Sequence, residues 1–94
     1  MTPTITPRDH DAYMQVLWYF DPTAPGARQP GSFSHHLIQA FARADITNTL
    51  LLSSVYPAYG TAMRMVQEGL NGGLDQLKTW GQQITAGTLG PDHD

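Results

Sequence analysis

The stretch Pro7-Arg8-Asp9-His10-Asp11-Ala12-Tyr13-Met14-Gln15-Val16-Leu17-Trp18-Tyr19-Phe20 decides the fold. Thr6 supplies a helix-capping side chain, Pro7 sits where the first helical turn has no use for an N–H, and Asp9 sets a carboxylate against the first-turn amides. Asp21-Pro22 closes the segment, because proline drives the residue before it out of helical dihedrals. The reading is a helix from Pro7 to Phe20. Successive residues advance about 100° around its axis, which puts Tyr13, Val16, Leu17 and Phe20 on one face with Ala12 at its edge. That face is core. Met14 and Trp18, four apart, make a second apolar strip on another side, and Tyr19 lies beyond the opposite edge. One core contact does not use up that much apolar surface, so the helix asks for a second cover.

The segment that follows, Asp21 to Gly31 (DPTAPGARQPG), holds three prolines and two glycines and reads as an irregular connection ordered by packing. Ser32 or Ser34 then caps a second helix to about Ala44, with Phe33, Leu37, Phe41 and Ala44 on its core face, Ile38 broadening it, and His35, Gln39 and Arg43 opposite. Asp45 caps a third segment, Ile46 to about Tyr56. Its Leu50-Leu51-Leu52 run places apolar groups around the whole circumference, so burial on most sides is expected. With no second convincing strand for it to pair with, helix is favoured over strand. Pro57 starts a fourth helix or kinks a continuous one. Ala58, Tyr59, Ala62, Met63 and Val66 share a face opposite Arg64 and Glu68, and Gly69 is the C-terminal stop. After an Asn71-Gly72-Gly73 turn, Leu74, Leu77, Gly81 and Ile84 line a last helix with Trp80 at the border. The expectation is an all-α compact bundle of four to five short helices with one Pro/Gly-rich loop. It forms a single domain over residues 1–86, and residues 87–94 are a frayed polar tail.

Composition narrows the function. At 94 residues with 40% apolar content the chain has enough material for one core. It contains no cysteine, which excludes disulfides, thiolate metal sites and cysteine nucleophiles together. No basic, apolar leader opens it and no stretch nears the roughly 18 apolar residues of a membrane span, so a cytoplasmic protein with no membrane contact is the expectation. The five basic residues, Arg8, Arg28, Arg43, Arg64 and Lys78, are scattered through a chain of net charge −3. Phosphate-backbone binding draws on clustered cations, so nucleic acid is disfavoured as a partner.

The chemical constellations are weak. His35-His36 are adjacent and so point about 100° apart, whereas helical metal ligands sit three or four apart; His10 and His93 complete no obvious set, and a metal-dependent enzyme is disfavoured. Ser53 and Ser54 lack the strand-turn-helix setting of a hydrolase nucleophile and read instead as small residues in a closely packed helix. Asp9 and Asp11 do not share a helix face, and Gly72-Gly73 lacks the lysine of a phosphate loop. No catalytic residue, metal ligand or cofactor is assigned. A helix-turn-helix-like DNA-binding regulator using His35, Gln39 and Arg43 is the alternative kept open. The surplus of large rings, Trp18, Tyr19, Phe20, Tyr56, Tyr59 and Trp80, favours a protein-binding module, since exposed Trp and Tyr anchor interfaces. Its expected binding residues are Met14, Trp18, Tyr19, Pro22, Pro25, Arg28 and Pro30. The competing possibility is that the Pro-rich loop folds back and hides Met14 and Trp18 within the domain.

Over Tyr13 to Leu77, through Trp18-Tyr19-Phe20-Asp21-Pro22, Pro30-Gly31-Ser32-Phe33, Leu37-Ile38 and Tyr56-Pro57-Ala58-Tyr59, the chain resembles small uncharacterised proteins of actinobacterial phages and prophages. The resemblance implies an accessory protein that binds a host or defence factor or joins a virion, and it brings no catalytic residues with it; apart from the resemblance, the protein-binding reading leaves a homo-oligomer open.

Overall fold

The computed structural model describes residues 7–86, which form five α-helices: α1 (Pro7–Phe20), α2 (Ser32–Arg43), α3 (Ile46–Val55), α4 (Pro57–Glu68) and α5 (Gly73–Ala86), with a 3₁₀ turn at Leu70–Gly72 before α5. Among the described residues there is no strand, and the fold is the expected small all-α bundle. The reading of Thr6 as a cap and of residues 87–94 as a tail lies outside the described residues.

The helix ends follow from local chemistry. The Asp45 carboxylate accepts from the Asn48 N–H at 2.8 Å and so caps α3. Pro57 occupies the first turn of α4 and begins a separate helix there, with Tyr56 out of helical geometry between the two. Gly69 closes α4 at φ 72°, a left-handed position that suits glycine. Neither Ser32 nor Ser34 caps α2. Gly31 holds that position in extended geometry without a side-chain hydrogen bond, because the chain enters the helix one residue earlier than a Ser32 cap requires and three earlier than a Ser34 cap requires.

α4 is the hub. It packs against α1, α2, α3 and α5, whereas α3 touches only α2 and α4. On α4, Gly60, Ala62, Met63 and Met65 are buried, an arc of about 220° at helical spacing. Met65 therefore joins the core although the expected face stopped short of it. Around this hub close Ala12, Tyr13, Met14, Val16 and Leu17 of α1, Leu37, Ile38 and Phe41 of α2, and Leu77 and Trp80 of α5. Trp80 was expected only at the border; it is 3% exposed and stacks tilted on Tyr13 with ring centroids 5.4 Å apart.

Three expectations are corrected. Phe20, assigned to the core face of α1, is 37% exposed, because the chain turns away at the very end of the helix. Phe33, assigned to the core face of α2, is 64% exposed: it occupies the first turn, beyond the reach of α4, and meets Tyr56 instead. The leucine run of α3, expected to be buried on most sides, is not; no residue of α3 is buried, since two neighbours can cover only one side of a helix.

α3 is held to the body by a close approach. A Cβ on Gly60 would stand 2.2 Å from Ser53 Oγ and 2.7 Å from its Cβ, so only glycine lets the two helices come this near. Ser53 is thus the small residue in a tight contact that its sequence setting suggested. Its hydroxyl is sealed from solvent without a hydrogen-bond partner among the described residues. Gly60→Ala is expected to lower stability by about 1–3 kcal/mol in denaturant titration. Ser53→Ala, which removes an unsatisfied hydroxyl and no packed atom but that one, should leave stability unchanged or raise it by up to about 1 kcal/mol.

Burial, and after it the Asp9 carboxylate, raises the Tyr13 hydroxyl above the ordinary tyrosine value, while a hydrogen bond with Thr61 acts in the opposite sense. The tyrosinate is disfavoured in the fold, so this contribution to stability is intact below the unfolded-state pKa of about 10 and is lost as pH rises through the folded one. Denaturation midpoints followed from about pH 9 to 11 should fall more steeply for the wild type than for Tyr13→Phe.

Candidate functional site

The loop between α1 and α2 folds back on its own domain. Asp21 accepts from the Thr23 N–H at 3.2 Å and the Thr23 hydroxyl at 2.8 Å, and its backbone carbonyl accepts from the Ala24 N–H at 3.1 Å, which fixes the first turn. The Thr23 hydroxyl, more than any other group, holds the Asp21 carboxyl below its ordinary value, and Lys78 of α5, 3.5 Å away, adds to this. Further on, the Arg28 N–H donates to the Met14 carbonyl at 3.1 Å and the Arg28 guanidinium pairs with Asp11, so the loop is stitched along α1. Where it crosses α5, Gly26 at φ 84° lies directly on Gly81, and a Cβ on Gly81 would stand 2.1 Å from the Pro25 carbonyl oxygen.

The seven residues read as binding positions are therefore divided. Met14 is 1% exposed, enclosed by its own chain, and offers no surface to a partner in this conformation. Pro30 is buried as well. Trp18 and Tyr19 are half-buried, both against His35 of α2, at centroid separations of 6.4 and 6.0 Å. Pro22, Pro25 and Arg28 are exposed. The second cover that α1 requires is supplied within the domain for Met14 and in part for Trp18. His35 is engaged by these rings, and His36 stands 6.2 Å from it. Among the described residues no group of three or more His, Asp or Glu side chains is placed to hold a metal ion. Tyr59 is also committed inward: its hydroxyl donates to Gln15 Oε1 at 2.7 Å and lies 3.2 Å from Ser34 Oγ, joining α4, α1 and α2.

The unpartnered apolar surface lies elsewhere, on α3. Ile46 is 81% exposed, Leu50 60%, Leu51 61% and Val55 67%. At 100° per residue these four span the outer arc of the helix, Leu50 toward α4 and Leu51 toward α2, with the small Thr47 and Ser54 on the line between them. The helix carries no charged residue. A cleft of about 480 Å³ runs on the α4 side, bounded by Ile46, Leu50, Arg64 and Gln67. Another of about 370 Å³ runs on the α2 side between Leu51 and Ala40. Beyond the C-terminal end of α3, Val55 and Tyr56 border a third cleft of about 520 Å³ with Asp9 and Asp11 of α1. α3 is thus a ridge between grooves, with exposed Phe33 beside its last turn.

This ridge does not stand out in the amino-acid sequence. The signal is present in the leucine run, but an apolar circumference is as compatible with enclosure as with a helix at the edge of the bundle. The chain matches no protein family, no curated protein and no solved structure.

Because Leu50 and Leu51 contact little, Leu50→Glu or Leu51→Glu should change the stability of the dilute protein by no more than about 0.5 kcal/mol. Met63→Ala, which empties a fully buried position in the hub, should cost about 2–5 kcal/mol in the same titration.

Proposed function

We propose that the chain is a non-enzymatic protein-binding module whose docking face is the outer arc of α3. The observation that carries this reading is the exposure of Ile46, Leu50, Leu51 and Val55 on one uncharged helix. Fully burying such a side chain is worth about 1.5–3 kcal/mol. With roughly two thirds of each still exposed, covering all four recovers on the order of 4–8 kcal/mol, enough to act as the apolar centre of an interface. Single exposed apolar residues are ordinary on a protein surface; a contiguous uncharged ridge bounded by grooves is the form an interaction site takes. The polar side chains around it, Arg43, Asn48, Arg64, Gln67 and Glu68, supply a rim.

The half-buried Trp18 and Tyr19 and the exposed prolines of the loop stand as a smaller, secondary contact region in this reading. The resemblance to small phage and prophage proteins fits a module that works by occupying another protein, whether a host factor, a defence component, a virion protein or its own copy. No described helix is long and apolar enough to cross a membrane.

Placing a photo-crosslinking phenylalanine at position 51, and as a control at the exposed position 82 of α5, tests the face directly. In extract of the native host the expected result is a covalent polypeptide adduct from position 51 that is absent from position 82 and abolished by Leu50→Glu. Equal yields from the two positions, or none from position 51, would overturn the assignment.

A further inference from the structure

We infer that the occupant of the α3 ridge is a second copy of this chain, with the two α3 helices packed antiparallel about a twofold axis; this rests on the reading of α3 as the docking face. A twofold interface requires a patch complementary to itself. α3 has that property in its sequence. Read inward from its two ends, ITNTLLLSSV sets Ile46 against Val55, Thr47 against Ser54, Asn48 against Ser53, and meets at Leu50 and Leu51. The pair that breaks the pattern, Thr49 and Leu52, is half-buried on the inner side of the helix, where a partner does not reach.

An antiparallel pair centred between Leu50 and Leu51 places the small Thr47 opposite Ser54 of the partner subunit on the central line, which lets the backbones approach. Leu50 then lies beside the partner's Leu50 on the α4 side, and Leu51 beside the partner's Leu51 on the α2 side. The grooves flanking α3 are where these leucines would seat, so each copy offers both ridge and groove.

Charge argues the same way. α3 has no charged residue, so pairing it with itself brings no like charges together along its length. At its N-terminal end stand Asp45, Arg43, Arg64 and Glu68, two acidic and two basic groups, with Arg64 engaged by Glu68 at 3.3 Å, so that this end carries no net charge. At its C-terminal end stand Asp9 and Asp11, the latter paired with Arg28. An antiparallel arrangement keeps the acidic Asp9 ends of the two copies apart, each against the neutral end of the other, and opposes the helix dipoles favourably, whereas a parallel one sets the acidic ends together.

Light scattering on the full chain after size exclusion, at concentrations up to the order of 100 µM, should show a mass twice the 10.3 kDa of the chain that falls toward one chain on dilution. Leu50→Glu and Leu50→Lys should each be single chains of unchanged helicity by circular dichroism, and mixing them in equal amounts should restore the doubled mass, because each Leu50 meets its own counterpart. Leu51→Asn provides a milder variant with the same expected loss of dimer should either charged variant lose helicity. A wild type that stays at one chain throughout, or variants that remain dimeric, would overturn the proposal, and a mixture that fails to re-pair would overturn the antiparallel register. The crosslink from position 51 separates this from the broader reading: an adduct of two-chain mass supports a second copy, an adduct of any other mass overturns the second copy while leaving α3 as the docking face, and no adduct removes both.

Discussion

The bundle depends on one helix having four neighbours. α4 can bury an arc of about 220° because its side chains alternate between small and flexible: Gly60 and Ala62 let other backbones come close, and Met63 and Met65 fill the irregular space that results. A helix of 12 residues with this pattern becomes the axis on which α1, α2 and α5 close a core. Once three helices have been placed around it, the fourth must lie at the margin. α3 takes that position at Gly60, in contact with α2 and α4 alone, and its exposure follows from the geometry of the hub rather than from its own composition.

Much of this was legible before any coordinates. The bounds of α1, the Asp45 cap, the Gly69 stop and the Asn71-Gly72-Gly73 turn all rest on backbone chemistry confined to a few residues, and such chemistry is readable locally, whereas Pro57 is compatible in sequence with either a new helix or a kink. The core faces of α1, α2, α4 and α5 follow from amphipathic spacing, which encodes the direction of burial whenever one side of a helix is polar. α3 has apolar groups on all sides and so encodes no direction. Where it sits depends on how many neighbours remain available, a property of the whole chain that no window of ten residues contains. Phe20 and Phe33 escape burial for a related reason: each has a core-facing angular position but stands at a helix end, where position along the axis decides burial.

The aromatic surplus of α1 illustrates the same division. Sequence showed that Met14 and Trp18 needed a cover but not whose. Met14 is enclosed within the domain, and the loop from Asp21 to Gly31 folds back along α1 through a main-chain bond from Arg28 to the Met14 carbonyl and onto α5 through a backbone contact at Gly26 and Gly81. Neither device has a side-chain signature, since two glycines far apart in sequence announce a close approach only when it is known that they meet. The exposed apolar surface consequently lies on the aliphatic side chains of α3, while the rings of Trp18 and Tyr19 on α1 are half-buried and Phe20 stands at the helix end.

The marginal seat of α3 has an evolutionary consequence. The helix contributes none of the fully buried side chains on which folding depends, and its own boundaries are set by Asp45 and Pro57, outside the exposed arc. Substitutions along that arc are nearly free of constraint from the core, so the chemistry of this face can diverge from one lineage to the next at constant stability. A bundle built this way is a scaffold with one replaceable face, whose outer surface can change at four positions while the remaining helices stay as they are.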